Sequence, residues 1–324
     1  MKLRVAAIAV LGVALALYLI KYVGFGAVFA AAAAAGISGF AILCLYALGL
    51  FVILGAAWQV LLSASRLRDL RVFVWARMVR DAATEVLPFS QLGGIVLGAR
   101  AAILQGISQP IVLGSTIVDV TTELLAQIAY IAIGVAILSA RAPQTSFAAS
   151  LTRGLYAGLL AAALAGAAFL ALQRYSHRAT ARITARIFPG AVAATAAVIA
   201  ALDGIYRSFA RVAGSCALHF AGWIASALGA WIAFRMIGAH VDFTAVLAIE
   251  SLVCASRSIA VFIPNALGVQ EAAYTVLSPL FGVAAEFGLA VSLLKRARDI
   301  ALGVPILLIW QAVEGRQVLR RAEP

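Results

Sequence analysis

Charged residues are scarce in this chain, and most of them are positive. Only 12% of the 324 residues are Asp, Glu, Lys or Arg, with 25 basic and 13 acidic residues, whereas 64% are apolar. The mean hydropathy is +1.04. The longest polar stretch, Gln173 to Arg186, is far shorter than the roughly 100 residues that a separate soluble module needs. This composition predicts a single integral membrane domain over residues 1–324.

Cysteine and histidine are also rare, with three residues of each. Cys44, Cys216 and Cys254 stand singly in apolar segments without CxxC or histidine spacing, so we interpret them as small core residues. The chain has no P-loop, no HExxH motif and no Ser/His/Asp set. We therefore predict no metal, no cofactor and no enzymatic activity. An acid/base pair of Asp119 and Glu123 inside the membrane is the alternative for an enzyme.

The formal net charge of +12 raises the question of nucleic acid binding. The arginines lie in short segments beside membrane spans, however, and not on a polar face with interleaved aromatic residues. Such positions are typical of topology signals that also attract anionic lipid headgroups. We predict membrane lipids as partners and no nucleic acid.

Apolar runs of about 20 residues, long enough to cross the hydrocarbon core, recur along the chain. The first has the basic start of a signal peptide, but it is followed by Lys21 and Tyr22 and not by a clear cleavage site, so we interpret it as a retained span. The fold class is predicted to be an all-α transmembrane bundle. Six full spans are predicted, over residues 3–21, 39–63, 110–138, 151–172, 212–235 and 286–311.

Two further regions, 72–105 and 243–284, each contain two moderately apolar helical stretches separated by proline and glycine. A break of this kind exposes backbone groups that must be buried in protein or line a wet cavity. We predict two re-entrant helical hairpins, and two pairs of short spans are the alternative. The predicted turn residues, whose freed backbone groups favour anions, are Pro88, Gly93, Gly94, Pro264, Asn265 and Gly268. The Gly94/Gly98 and Gly154/Gly158 spacings indicate close helix packing.

The basic residues also predict the orientation, because cytoplasmic loops are enriched in Lys and Arg. Both termini are expected to be cytoplasmic, in a bacterial inner membrane. The loops 141–150 and 238–242 have little positive charge, as the opposite side requires. The residues assigned to the cytoplasmic side are Lys2, Arg4, Arg66, Arg68, Arg71, Arg77, Arg80, Arg174, Arg178, Arg182, Arg186, Arg316, Arg320 and Arg321.

With this topology the two hairpins enter from opposite sides, which is typical of the inverted repeats of transporters. We predict repeats over residues 39–138 and 212–311. When the sequence is shifted by 176 residues, four charged or turn residues of the first repeat align with charged or turn residues of the second. The flanking residues barely match. The aligned pairs are Pro88 with Pro264, Asp81 with Arg257, Asp119 with Lys295, and Glu123 with Asp299.

The segment GLAVSLLKRARDIALGVPILLIW, residues 288–310, carries four ionisable groups near the predicted membrane midplane. A charge facing lipid there costs several kcal/mol, so these groups must face protein, water or a charged ligand. Asp119 and Glu123 are the predicted protein partners, and Glu85, Glu250 and Glu271 of the two hairpin regions are also available. A structural network and a site for an anionic lipid headgroup both explain the pattern. The candidate substrate-binding residues are Lys295, Arg296, Arg298, Asp299, Asp119, Glu123, Glu271, Arg257 and Glu85.

Four motifs carry a resemblance to a known family: LPFSQLGG (87–94), IVDVTTE (117–123), IPNALGVQEAAY (263–274) and LLKRARDI (293–300). Together they resemble the flippase-like membrane family that includes the transmembrane region of lysylphosphatidylglycerol synthases, most of all its hopanoid-biosynthesis-associated branch. The resemblance implies a polytopic inner-membrane protein that handles a lipid. Many relatives have an acidic residue after the first glycine pair, where this chain has Ile95. The soluble aminoacyl-transferring domain of the synthases is absent, so their activity is not expected here.

The predicted function is a flippase-like lipid transporter. It would bind or translocate a hopanoid or an anionic lipid by alternating exposure of a midplane site. The alternative is a membrane subunit that does not transport and presents lipids to a hopanoid or lipid biosynthetic enzyme.

Overall fold

The computed structural model describes residues 30, 33–62, 67–87, 90–141, 146–175, 192–260 and 263–322. Across these residues the chain forms α-helices and one short 3₁₀ helix, with no strand, which confirms the predicted all-α fold. The α-helices are α1 (Gly36–Gln59), α2 (Leu67–Val86), α3 (Ser90–Leu104), α4 (Gln109–Arg141), α5 (Ser146–Tyr175), α6 (Val192–Tyr206), α7 (Phe209–Met236), α8 (Phe243–Ile259), α9 (Val269–Leu280) and α10 (Ala285–Ala322).

Helices α1, α4, α5 and α7 are long and apolar enough to cross a membrane. They coincide with the spans predicted over 39–63, 110–138, 151–172 and 212–235. Exposed apolar side chains such as Ile37 on α1 and Leu160 on α5 suit surfaces that face lipid. The chain is therefore a multi-pass membrane protein. The predicted span 286–311 falls within α10, and the one over 3–21 lies outside the described residues.

Both regions predicted as broken helices consist of two helices joined by a short connection. In the first region, α2 ends at Val86 and α3 begins at Ser90, and Pro88 lies outside the described residues. The predicted turn residues Gly93 and Gly94 are inside α3 and not at the turn. For Gly94 the reason is close packing, because a Cβ atom on this residue would lie only 2.5 Å from the backbone oxygen of Arg80 on α2.

The second connection, between α8 and α9, contains the 3₁₀ helix Pro264–Ala266 and an unusual backbone turn. Asn265 and Ala266 have φ angles of 50° and 45°, a left-handed conformation that L-residues adopt rarely. Gly268, with φ of 80°, caps the start of α9, and its N–H donates to Glu271 at 2.8 Å. Three of the predicted turn residues, Pro264, Asn265 and Gly268, thus lie in the turn.

Two apolar clusters lie on opposite sides of a layer of charged side chains. The first joins the later part of α4 and α7 to the start of α10, with Leu138, Phe234 and Val291 as members. The second joins α2 and α3 to the later part of α10, with Phe73 and Ile306 as members. The charged residues of α4 and α10 fall between these clusters along both helices, so the charged layer lies midway through the bundle.

The connection between α7 and α8 is tied to the end of α4 by an exposed ion pair. Arg141 donates to Asp242 at 3.0 Å, and the Asp242 carboxylate also accepts from the Ala245 N–H, which caps α8. Partial burial tends to raise the pKa of Asp242, but these hydrogen bonds outweigh it and hold the pKa below its usual value. This contact joins the early and late parts of the chain at the bundle surface.

Substitution of Gly94 tests the close contact between α2 and α3. In Gly94→Ala the new methyl group would meet backbone on α2, so we expect the free energy of unfolding to fall by about 1–3 kcal/mol. Gly154→Ala is the matched control, because no described atom lies within 4 Å of the added Cβ and alanine is the better helix former. Thermal melting of both purified variants in detergent measures the difference. Equal melting temperatures would contradict the contact.

Candidate functional site

The first charged group, which we call the arginine cluster, consists of Arg77, Arg80 and Asp81 on α2 and Asp119 and Glu123 on α4. Arg77 donates to both carboxylate oxygens of Glu123, at 2.6 and 3.1 Å, and pairs with Asp81 at 3.0 Å. Arg80 bridges Asp119 at 2.9 Å and Glu123 at 2.6 Å. Both arginines are more than nine-tenths buried. This density of contacts is what buried charges require.

His219 on α7 extends the arginine cluster away from α2. Its Nε2 atom lies 2.9 Å from Asp119, and neither side chain has any exposed surface. Its Nδ1 atom has no hydrogen-bond partner among the described residues. Next to it, Thr122 on α4 and Ser215 on α7 are hydrogen-bonded at 2.8 Å. The contacts His219–Asp119 and Ser215–Thr122 therefore form a polar interface between α7 and α4, next to the arginine cluster.

The second charged group, the lysine cluster, joins α8, α9 and α10. The Lys295 Nζ atom donates to Glu250 at 2.6 Å and to the Tyr274 hydroxyl at 2.9 Å, and Tyr274 also donates to Glu250. The Lys295 ammonium lies 5.5 Å from the centre of the Tyr274 ring. The arginine and lysine clusters have opposite arrangements, because the long helix α4 supplies carboxylates whereas α10 supplies the cation.

Arg296 contacts different residues from Lys295. It pairs with Glu271, which has no exposed surface, and donates to the backbone oxygens of Asn265 and Ala266 at 3.3 Å. Since Glu271 also accepts from the Gly268 N–H, one ion pair holds the whole turn before α9. This contact gives Arg296 and Glu271 a structural role.

The two broken-helix regions meet where their connections lie. Glu85, the penultimate residue of α2, accepts from Arg257 on α8 at 2.6 Å. The backbone oxygen of Glu85 accepts from the side chain of Asn265, also at 2.6 Å. Arg257 is fixed further by Gln270 on α9 at 3.1 Å. We call this the tip contact, since it joins the ends of both helical pairs.

A cavity of about 390 Å³ lies between the arginine and lysine clusters. Arg298 and Asp299 face it and pair with each other at 2.7 Å, although they are adjacent in the chain. The lining contains equal numbers of positive and negative groups. The cations are Arg77, Arg80, Arg257, Lys295 and Arg298, and the carboxylates are Asp81, Glu85, Glu123, Glu250 and Asp299.

Uncharged groups form another part of the cavity lining. Tyr130 and Trp223 stack with ring centres 5.6 Å apart, and the Tyr130 hydroxyl has no described partner. Gln127 donates to Ser258 at 2.8 Å and to Cys254 at 3.0 Å. Apolar side chains of α1, including Phe51 and Leu54, complete the lining. The cavity thus offers charged, hydrogen-bonding and aromatic surface to one ligand.

The α10 cations do not pair with Asp119 and Glu123, the partners predicted first, and two of them pair with carboxylates of the second hairpin region, which were the predicted alternatives. Asp119 and Glu123 are occupied by Arg77 and Arg80, whereas Lys295 and Arg296 use Glu250 and Glu271. The reason is proximity within each part of the chain: α2 packs close to α4, and α8 and α9 pack close to α10. Apart from Asp119, Glu271 and Arg296, every predicted substrate-binding residue lines the cavity.

Arg77, Arg80 and His219 are the residues that sequence reasoning missed. The two arginines are predicted to be cytoplasmic topology signals, but the structure buries them within α2. A signal was present, since RMVRD (77–81) and KRARD (295–299) share a basic residue, an arginine three positions later and then aspartate. Nothing in the sequence distinguishes His219 from the other histidines. No group of three metal-ligating side chains occurs among the described residues.

A family model described as the lysylphosphatidylglycerol synthase transmembrane region matches residues 4–306. No curated protein and no solved structure matches the chain. The prediction of no enzymatic activity is contradicted by this match, because the family is named for a synthase and is therefore enzyme-related. The match and the several apolar helices agree on a multi-pass membrane protein connected with lipids. With nearly its whole length covered, the chain belongs to the lysylphosphatidylglycerol synthase transmembrane-region family.

Proposed function

We propose that this protein moves a lipid across the bilayer by exposing the central cavity to each side in turn. The observation that carries the proposal is the charged cavity midway through the bundle, where two broken-helix pairs meet. Hydrophilic surface at this depth is expensive to maintain and marks substrate pathways in membrane proteins. The lipid-facing apolar helices around it suit an amphiphilic cargo.

The size of the cavity favours a headgroup and not a whole lipid. About 390 Å³ is near the lower end of ligand pockets. A headgroup would therefore occupy the cavity while the acyl chains remain in the surrounding membrane. This division keeps the apolar part of the cargo in hydrocarbon throughout and limits the cost of translocation to the polar part.

The charges lining the cavity favour a headgroup that contains phosphate. Arg298 has only its neighbour Asp299 as a described ion-pair partner, so its guanidinium is the cation most readily released to a phosphate. The balanced set of five cations and five carboxylates also suits a headgroup that carries an amine. The lipid in the family's printed name, lysylphosphatidylglycerol, has both groups and is the first cargo to test. A hopanoid cargo stays a prediction.

The tip contact suits a gate between two access states. It is built from one ion pair and one hydrogen bond, which a small relative movement of α2 and α8 would break. If residues 39–138 and 212–311 are inverted repeats, opening on one side is the mirror of opening on the other. We also propose that both termini are cytoplasmic and that the membrane is the bacterial inner membrane.

The second candidate is a subunit that holds a lipid for a biosynthetic enzyme. The synthase in the family name favours it, since a synthase must receive its lipid from the membrane. The two functions separate in vesicles that contain the purified chain alone. Movement of lipid between leaflets supports transport, whereas binding without movement supports presentation.

The first prediction of the transport function concerns Arg298. We expect Arg298→Ala to slow the movement of a fluorescent phosphatidylglycerol between the leaflets of proteoliposomes by about tenfold, equivalent to roughly 1.4 kcal/mol of lost phosphate interaction. Accessibility of the fluorophore to dithionite measures the rate. Arg71→Ala, at an exposed arginine of α2, is the matched control and should behave as wild type. Equal rates for the two variants would contradict a phosphate site at Arg298.

The second prediction concerns the tip contact. In a background without Cys44, Cys216 and Cys254, we expect a reducible crosslink between Glu85→Cys and Arg257→Cys to stop lipid movement, because the gate stays closed. Reductant should restore movement in the same sample. Each single-cysteine variant, treated identically, controls for modification of the cavity. Unchanged movement after complete crosslinking would rule out the tip contact as a gate.

A further inference from the structure

The charged layer contains one more carboxylate than cations, counted over the paired groups that the structure describes. The surplus lies in the arginine cluster, where Arg77 and Arg80 face Asp81, Asp119 and Glu123. Elsewhere each cation has one carboxylate: Arg257 with Glu85, Lys295 with Glu250, Arg296 with Glu271, and Arg298 with Asp299. An uncompensated charge at this depth is strongly unfavourable, so one further proton, on a carboxylate or on a neighbouring base, would supply the positive charge that balances the arginine cluster.

His219 is positioned to supply that charge. Its Nε2 atom contacts Asp119 at 2.9 Å, on the opposite oxygen from Arg80. Its Nδ1 atom is fully buried without a described partner, which is an unusual state for a ring nitrogen. A proton on the imidazole would balance the arginine cluster and give Asp119 a second charged donor.

The other charged groups around His219 already have partners. Helix α2 brings the two arginines and Asp81, and α4 brings Glu123 beside Asp119. Helices α8 and α10 bring the lysine cluster, whose Glu250 and Lys295 pair with each other. Helix α6 carries Asp203, which has a partner of its own, and α1 contributes the uncharged Trp58, bonded to Ser115.

We propose that Asp119 and His219 form a proton-binding site, and that this proton drives lipid movement. The inference rests on the proposed transport function. When the imidazole is charged, Asp119 is shared between His219 and Arg80, so Arg80 is freer to contact a phosphate in the cavity. When the proton leaves, the surplus carboxylate holds Arg80 more tightly. Proton binding and phosphate binding therefore favour each other, and the effect is reciprocal.

The first experiment uses the full chain in vesicles of phosphatidylethanolamine and phosphatidylglycerol that contain a fluorescent phosphatidylglycerol, with the membrane potential clamped. A gradient of one pH unit is expected to enrich the fluorescent lipid in one leaflet by up to about tenfold, the limit for one proton per lipid. Reversing the gradient should reverse the enrichment. Lipid movement that ignores the gradient would overturn the proposal.

His219→Gln separates coupling from movement, because glutamine retains a donor to Asp119 but cannot carry the proton. His219 does not line the cavity, but without the imidazole proton Arg80 is held more tightly by Asp119, so this variant should equilibrate lipid between leaflets more slowly than wild type and should show no enrichment in a gradient. His240→Gln, at an exposed histidine outside the charged layer, is the matched control and should respond as wild type. Enrichment by His219→Gln would overturn the proposal.

A wild-type chain that moves no lipid would refute the proposed function, and the proton site then has its own test. Nitrogen NMR of histidine-labelled protein in detergent near pH 7 distinguishes rings with one proton from rings with two. The signal assigned to His219, by its absence in His219→Gln, should report two ring protons. In Asp119→Asn, where two carboxylates balance two arginines, it should report one. A singly protonated ring in wild type would overturn the proton site.

Discussion

The burial of charge in a hydrocarbon environment is the constraint on which the rest of this structure depends. A buried Arg, Lys, Asp or Glu without a partner is unfavourable by several kcal/mol, so helices that carry such residues must meet helices that carry the opposite charge. Helix α2 is tied to α4 in this way, and α10 is tied to both α8 and α9. The packing order of the bundle follows from these pairings as much as from apolar contact.

The same constraint explains why the cavity lies where the broken helices meet. The ends of α2 and α8 expose backbone groups that continuous helices would satisfy internally. Asn265 fills part of this need by donating to the Glu85 backbone, and Arg296 fills another part at the turn before α9. Polar side chains are therefore required at the depth of the helix breaks, whether or not a cavity is present. The cavity adds charged residues that face inward and are shared between the two parts of the chain.

Much of the fold follows from the sequence because span length and helix breakers are local features. The runs that became α1, α4, α5 and α7 are apolar over a membrane thickness, and a proline in the sequence marks each break, joined by a glycine only at the second. The candidate partners of the α10 charges could be predicted, but the choice among them could not, since the charged face of α10 has several neighbouring helices. Gly94 was predicted both as a turn residue and, with Gly98, as a helix-packing residue, and the structure supports the second role through the close contact with the Arg80 backbone. At Gly154 and Gly158 an added Cβ atom would meet no described atom of another helix within 4 Å, so their role in packing stays a prediction.

The charged middle of α10 has a consequence for biogenesis. Lysine, arginine and aspartate each oppose insertion at a helix centre by roughly 2.5–3.5 kcal/mol on translocon scales, so α10 is a poor insertion substrate in isolation. Its partners Glu250 and Glu271 precede it in the chain and are synthesised before it emerges. Helix α2 has the reverse problem, because Asp119 and Glu123 are made after its arginines. Insertion of α2 therefore has to be completed together with α4, which makes these two helices a cooperative unit of membrane integration.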